Sequence, residues 1–209
     1  MKIKFVPILL AAGFAWMAVP VQAESLIDGN LDAGKSRGVV CTACHGPEGN
    51  SVSPLWPNIA GQNANYLVAQ LKAFQKGTRN DPLMTPQAML LTEQDMNDVA
   101  VFFESLPAAA QAVADPGLIP RAEALYRGGN NDEGTAACLA CHGPTGRGNP
   151  AASYPALNGQ HAAYVAKQLQ DYAADARTSD DPTHAMRDIA KRLSKEDIQA
   201  LASYVQGLK

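Results

Sequence analysis

Two short stretches hold the residues best suited to chemistry in this 209-residue chain: Cys41-Thr42-Ala43-Cys44-His45 and Cys138-Leu139-Ala140-Cys141-His142. Two thiols three residues apart, followed directly by an imidazole, match the attachment signature of c-type haem. The thiols can form thioethers to the two vinyl groups on one porphyrin edge, and the adjacent histidine then comes beneath the iron. The two motifs consume every cysteine in the chain. A redox dithiol of the thioredoxin kind wants its Cys-x-x-Cys beside a βαβ pattern, which is not seen. A zinc site would need both copies to collapse onto one ion, although each copy is complete by itself. The expectation is two covalently bound haem c groups, one on Cys41 and Cys44 and one on Cys138 and Cys141, with His45 and His142 as proximal ligands.

The sixth ligand decides what such irons do. An open position permits ligand binding or peroxide chemistry, whereas a methionine closes it, favours electron transfer and raises the potential. The second motif is followed by a single methionine, Met186, eight residues before Ser194; Met84 lies eight residues before Thr92. Both fall in proline-containing stretches (Pro82 and Pro86; Pro182) expected to be loops that fold over the haem face. Met89 and His184 are rivals, but their counterparts in the other copy are Lys191 and Pro82. Met96 belongs to a helix's buried stripe, and His161 is expected on a helix surface.

The elements that position these residues come twice. Residues 56–74, WPNIAGQNANYLVAQLKAF, lie over 154–172, YPALNGQHAAYVAKQLQDY, with Gln62/Gln160, Tyr66/Tyr164 and Gln70/Gln168 in register. Arg79 and Arg177 follow, and 91–106 lie over 193–208. A shift of about 100 residues makes each copy a domain rather than a solenoid repeat. The reading is all-α, two tandem cytochrome c-like domains over 24–110 and 111–209, with a linker around Pro107 to Gly117. Thr92 and Ser194, each followed three places on by an aspartate, start helices whose apolar residues recur at i, i+3, i+4 and i+7. A second helix is expected over 63–75 and 161–174, and a shorter one before each cysteine pair. Pro57 and Pro155 are placed to offer a carbonyl to the proximal imidazole. Arg79, Arg177, Tyr66 and Tyr164 suit haem propionates, or equally a helix-packing role.

The N-terminus reads Met-Lys-Ile-Lys, an apolar run from Phe5 to Val19, then Val21-Gln22-Ala23. A basic start, a short apolar middle and a small-residue exit predict a secretory signal peptide over 1–23; the run is short for a membrane span. Its removal leaves 15 basic and 20 acidic side chains. With 46% hydrophobic and 18% charged residues the chain is globular, and no clustered basic surface calls for nucleic acid. Residues 24–112 hold 5 basic and 9 acidic side chains, and 113–209 hold 10 and 11. Arg187, Lys191, Arg192 and Lys195 cluster after Met186: a solvated helix cap or a docking surface.

Two CxxCHGP motifs, each followed by a PNIAGQ or PALNGQ segment, a methionine and a capped C-terminal helix, resemble the di-haem cytochrome c4 family from about Ala33 to Leu208. The resemblance implies two class I cytochrome c domains about a pseudo-twofold axis, with haem propionates meeting near the interface. It implies a non-enzymatic, periplasmic carrier of single electrons between redox proteins, toward a membrane-bound terminal oxidase. It also implies His45 with Met84 and His142 with Met186 as axial ligands. The methionine stretch of the first copy is two residues shorter between Asp-Pro and Met, a departure from strict repetition. The alternatives are the cytochrome subunit of a dehydrogenase, such as a flavoprotein sulfide dehydrogenase, or a di-haem peroxidase.

Overall fold

The computed structural model describes residues 26–180 and 182–209, so the leader expected over 1–23 lies outside the described residues. The chain is all-α. The first half contains α1 (Leu31–Arg37), α2 (Val39–His45), α3 (Ala64–Lys76), α4 (Met84–Met89) and α5 (Glu93–Ser105). The second contains α6 (Ile119–Gly128), α7 (Leu139–His142), α8 (Ala162–Ala173), α9 (Ala185–Ala190) and α10 (Lys195–Gln206). Among the described residues β structure is limited to two isolated bridges, Asn130 with Thr135 and Asn149 with Tyr154.

Each half is organised by its last helix. The Thr92 hydroxyl accepts the Asp95 N–H at 3.1 Å while the Asp95 carboxylate accepts the Thr92 N–H at 2.9 Å. Ser194 and Asp197 repeat the reciprocal pair at 3.1 Å and 3.1 Å. The boxes satisfy amides that have no partner inside the helix. Behind them Met96, Val99, Ala100 and Phe103, and Ile198, Leu201, Ala202 and Val205, are buried, as the 3.6-residue period predicts.

α5 packs on α1 and α3, and α10 on α6 and α8. A side chain at Gly34 would sit 2.0 Å from the Asp98 carbonyl oxygen, so only glycine lets α1 approach α5 this closely. In the second half α6 meets α10 through Ala122, Leu125 and Tyr126. The Tyr126 ring lies 5.5 Å from that of Tyr204, and its hydroxyl donates to the Gly143 carbonyl at 2.7 Å.

The methionine stretches differ from expectation. Met84 opens α4 and Met186 is the second residue of α9, so both lie in a first helical turn rather than a loop. Pro86 is tolerated there because a first-turn N–H has no intrahelical acceptor. The Asp81 carboxylate accepts the Leu83 and Met84 N–H groups at 2.9 and 3.0 Å, capping α4 from outside.

The halves meet through reciprocal bonds. The Gln62 amide donates to the Ala156 carbonyl at 2.9 Å and accepts the Ala156 N–H at 2.8 Å. The Gln160 amide does the same to Asn58, at 2.8 and 2.9 Å. Such mutual exchange is the signature of a twofold-related contact. The extended linker lies against the second half, where Gln206 donates to the Ala112 carbonyl and the Asp115 N–H donates to the Ser203 hydroxyl.

Candidate haem sites

Each CxxCH motif is wound into a helix, the end of α2 or α7 together with its N-cap Cys138, so that its two cysteines, three positions apart, share one face. All four thiols are free. Cys44 and Cys141 are exposed, while Cys41 and Cys138 are half-buried. Burial pushes the Cys41 thiol up, and pushes Cys138 up to about 11. Surroundings that disfavour a thiolate suit a sulfur that ends as an uncharged thioether.

The imidazoles are buried, His45 at 7% exposure and His142 at 6%. Nδ1 of His45 lies 2.8 Å from the Pro57 carbonyl oxygen, and Nδ1 of His142 lies 2.9 Å from that of Pro155. A carbonyl oxygen only accepts, so Nδ1 carries the proton and the Nε2 lone pair is left for a metal. Burial lowers the His45 pKa against the opposing pull of the Pro57 carbonyl, and the Arg79 charge adds to the lowering. Burial likewise lowers that of His142 against the Pro155 carbonyl. Both rings are thus neutral, as a ligand must be. Glycine with positive φ follows each histidine, Gly46 at 84° and Gly143 at 75°. A side chain at Gly46 would stand 2.0 Å from the Asn50 carbonyl oxygen.

The residues present fit a covalently attached haem. In the first half the paired thiols and the oriented imidazole come with exposed apolar side chains close by in the chain, Val39, Val40, Val52 and Leu55; in the second the Tyr154 ring lies 6.3 Å from that of His142. Such a surface suits contact with a porphyrin. Among the described residues no group of three or more His, Cys, Asp and Glu could hold a metal ion alone.

Met84 and Met186 are both half-buried, on short helices packed against α3 and α8. Met89 is 61% exposed, and Met96 lies in the core at 2%. His184 is exposed, in the left-handed region at φ 56°, immediately before α9. Arg187 departs from the expected basic surface cluster. It is buried, with Nε 2.7 Å from an Asp180 carboxylate oxygen, and its N–H donates to the other oxygen at 3.0 Å.

The interface gathers residues whose role sequence left open. Arg79 of the first half donates to Tyr164 and Gln168 of the second, at 2.6 and 3.0 Å. Arg177 of the second donates to Tyr66 and Gln70 of the first, at 2.9 and 2.7 Å. His161, expected on a surface, is half-buried at this junction, its Nε2 2.9 Å from the Ser51 carbonyl oxygen. The repeat register was the only signal that marked these residues.

The cytochrome c family profile matches residues 35–107 and 133–209. A cytochrome c4 of Azotobacter vinelandii is 45% identical over 189 residues, spanning 86% of this chain and 90% of that protein. A thiosulfate dehydrogenase electron acceptor of Stutzerimonas stutzeri is 33% identical, spanning 92% of this chain and 91% of that protein. The crystal structure of reduced cytochrome c4 from Pseudomonas stutzeri superposes with a TM-score of 0.84 at 43% identity, covering 87% of this chain and all of that one. With its two matched cytochrome c domains, the chain belongs to the di-haem cytochrome c4 family, electron-transfer proteins with two covalently bound haem c groups.

Proposed function

We propose that this protein is a periplasmic carrier of single electrons whose two irons are both closed by histidine and methionine. Cys41 and Cys44 bind the first haem, with His45 and Met84 as axial ligands. Cys138 and Cys141 bind the second, with His142 and Met186. The domains divide at 110/111. The observation that carries the reading is the twice-repeated buried imidazole with its Nδ1–H spent on a proline carbonyl, at 2.8 and 2.9 Å.

The haems supply one-electron iron chemistry; the polypeptide fixes its terms. Pro57 and Pro155 hold the ring orientation and raise the basicity of Nε2. The cap that Asp81 places over Leu83 and Met84, and the Asp180 carboxylate on Arg187 beside Met186, fix where each thioether sits. A thioether ligand raises the potential and excludes other ligands from the iron. Export through the 1–23 leader would place the carrier among periplasmic redox proteins, delivering toward a membrane-bound oxidase. Among the described residues no helix is long and apolar enough to cross a membrane.

The test is Met84→Ala and Met186→Ala in the holoprotein, followed by redox titration and CO binding. Each variant is expected to lower one potential and to admit CO at that iron alone. A variant with an unchanged potential and no CO binding would assign the sixth position elsewhere, with His184 the first residue to test in the second domain.

A second reading has support from the 33% identical thiosulfate dehydrogenase electron acceptor. The donor would then be a sulfur-oxidising dehydrogenase. Stopped-flow reduction by such an enzyme, or its co-purification with the native protein, favours this reading, and oxidation by a terminal oxidase alone favours the first.

A further inference from the structure

The peptide group that orients each imidazole is held from its other side by the opposite domain. The Pro57 carbonyl accepts His45 Nδ1–H at 2.8 Å, and the N–H of the same peptide unit, that of Asn58, donates to Gln160 Oε1 at 2.9 Å. In the other half the Pro155 carbonyl accepts His142 Nδ1–H at 2.9 Å, and the Ala156 N–H donates to Gln62 Oε1 at 2.8 Å. The carbonyl and N–H of a trans peptide point in opposite directions, so a single planar unit bridges a ligand imidazole and a glutamine.

Both glutamines are buried, Gln62 at 7% exposure and Gln160 at 8%, and both are fixed in place. Each Oε1 also accepts the N–H of the next residue, Asn63 at 3.0 Å or His161 at 3.1 Å. Each side-chain amide donates back across the interface, Gln62 to the Ala156 carbonyl and Gln160 to the Asn58 carbonyl. A peptide is conjugated, so an acceptor on its N–H shifts electron density toward its oxygen. Hydrogen bonds in a chain polarise one another in this way, and more strongly where water is excluded. A better-accepting carbonyl draws the Nδ1 proton and leaves the Nε2 lone pair more basic. A more basic ligand stabilises ferric over ferrous iron and lowers the potential, so hydrogen bonding beyond the ligand tunes the haem.

We propose that Gln160 is a positioning residue for the first haem and Gln62 for the second. Each acts across the interface, through one peptide and one imidazole, to lower the potential of the iron in the opposite domain. The control is crossed, and it exists only while the domains are docked. It rests on the proposed ligation by His45 and His142, and not on which residue closes the far side of each iron.

The test is spectroelectrochemical titration of the full-length holoprotein and of Gln160→Met, Gln62→Met and Gln160→Glu, with proton NMR of the reduced forms. Methionine fills the space of glutamine without its carbonyl acceptor. Gln160→Met is therefore expected to raise the first haem's potential and leave the second in place, and Gln62→Met to do the reverse. The expected size is about threefold in the oxidised-to-reduced ratio, or about 28 mV at 59 mV per tenfold for one electron. The Nδ1 proton of His45 is expected to move upfield in Gln160→Met, and that of His142 in Gln62→Met, which assigns each potential to its haem. Gln160→Glu keeps an acceptor at the same place and is expected to move both readouts the other way. Should Gln160→Met fail to accumulate with two haems, Gln62→Met carries the mirrored expectation. The proposal is overturned if a folded, two-haem methionine variant keeps both potentials, shifts both together or shifts the haem of its own domain. It is equally overturned if Gln160→Glu moves the His45 proton as Gln160→Met does, because the residue would then matter for packing alone. In the wild-type protein the Nδ1 protons, displaced by the porphyrin ring current, report the imidazole ligands. Failure of the ligation shows there, whereas failure of the crossed control shows only in the variants.

Discussion

The two halves share a scaffold and differ in how they hold their methionines. In the first, the Asp81 carboxylate caps α4 by accepting two backbone N–H groups, and the exposed residues at the far end of that helix are Met89 and Leu90, 61% and 70% exposed. In the second, Asp180 grips the buried Arg187 beside Met186, and the matching far end carries Lys191 and Arg192. Lys191 pairs with Asp175 at 2.8 Å, and Arg192 donates to the Glu133 carbonyl at 3.1 Å. At the interface the copies have kept the same residues: Gln62 and Gln160, Tyr66 and Tyr164, Gln70 and Gln168, Arg79 and Arg177. Duplication freed the outer surfaces to diverge, while a mutual contact requires both partners to stay alike.

The largest expected difference lies in the aspartates. Asp180→Ala removes a carboxylate from a buried charge pair and is expected to cost about 3 kcal/mol. Asp81→Ala removes a helix cap and is expected to cost about 1 kcal/mol. Denaturant unfolding of the two holoproteins measures both, and equal losses would erase the contrast between the two clasps.

A smaller effect probes where the halves agree. Thr92→Ala and Ser194→Ala are each expected to cost about 1 kcal/mol, since the two boxes have the same geometry. For Asp197 burial pushes the pKa up, but hydrogen bonds from Ser194 and the Arg121 contact outweigh it and leave the carboxyl below its ordinary range. Its stabilisation is present above the unfolded-state pKa and is lost as pH falls through the depressed folded value. Acid unfolding of Ser194→Ala is therefore expected to start from lower stability with a shallower slope; an unchanged slope would remove Asp197 from the account.

The smallest effect concerns the outer surface. Lys191→Glu is expected to leave both potentials nearly unchanged while altering the salt dependence of electron transfer with one partner and not the other. Equal salt slopes with donor and acceptor would mean that the two ends do not discriminate between partners by charge.

Local features were legible in the sequence. The Thr92 and Ser194 boxes, the stripes behind them, the helices α3 and α8 and the proline carbonyls on His45 and His142 all follow from spacing within a dozen or so residues. The short helix α4 was hidden because Pro86 beside Met84 reads as loop, although a first turn accepts it, and α9 because Pro182, which reads as loop, stands only three residues before that helix begins. The Arg187 pair was hidden because four basic residues in sequence order look alike until burial separates one. The contacts of His161, Arg79 and Arg177 across the interface could not be read directly, since their partners lie 85 to 111 residues away. Register told which residues correspond but not that they touch.

The central claim is that both irons are closed by an imidazole and a thioether. The most direct measurement is the ferric absorption spectrum of the purified protein, normalised to covalently bound haem, with CO added to the reduced form. The account predicts two haems per chain, a thioether-to-iron charge-transfer band of two-haem intensity, and no CO adduct at either site. A band of half that intensity, or CO binding to the resting reduced protein, would contradict it.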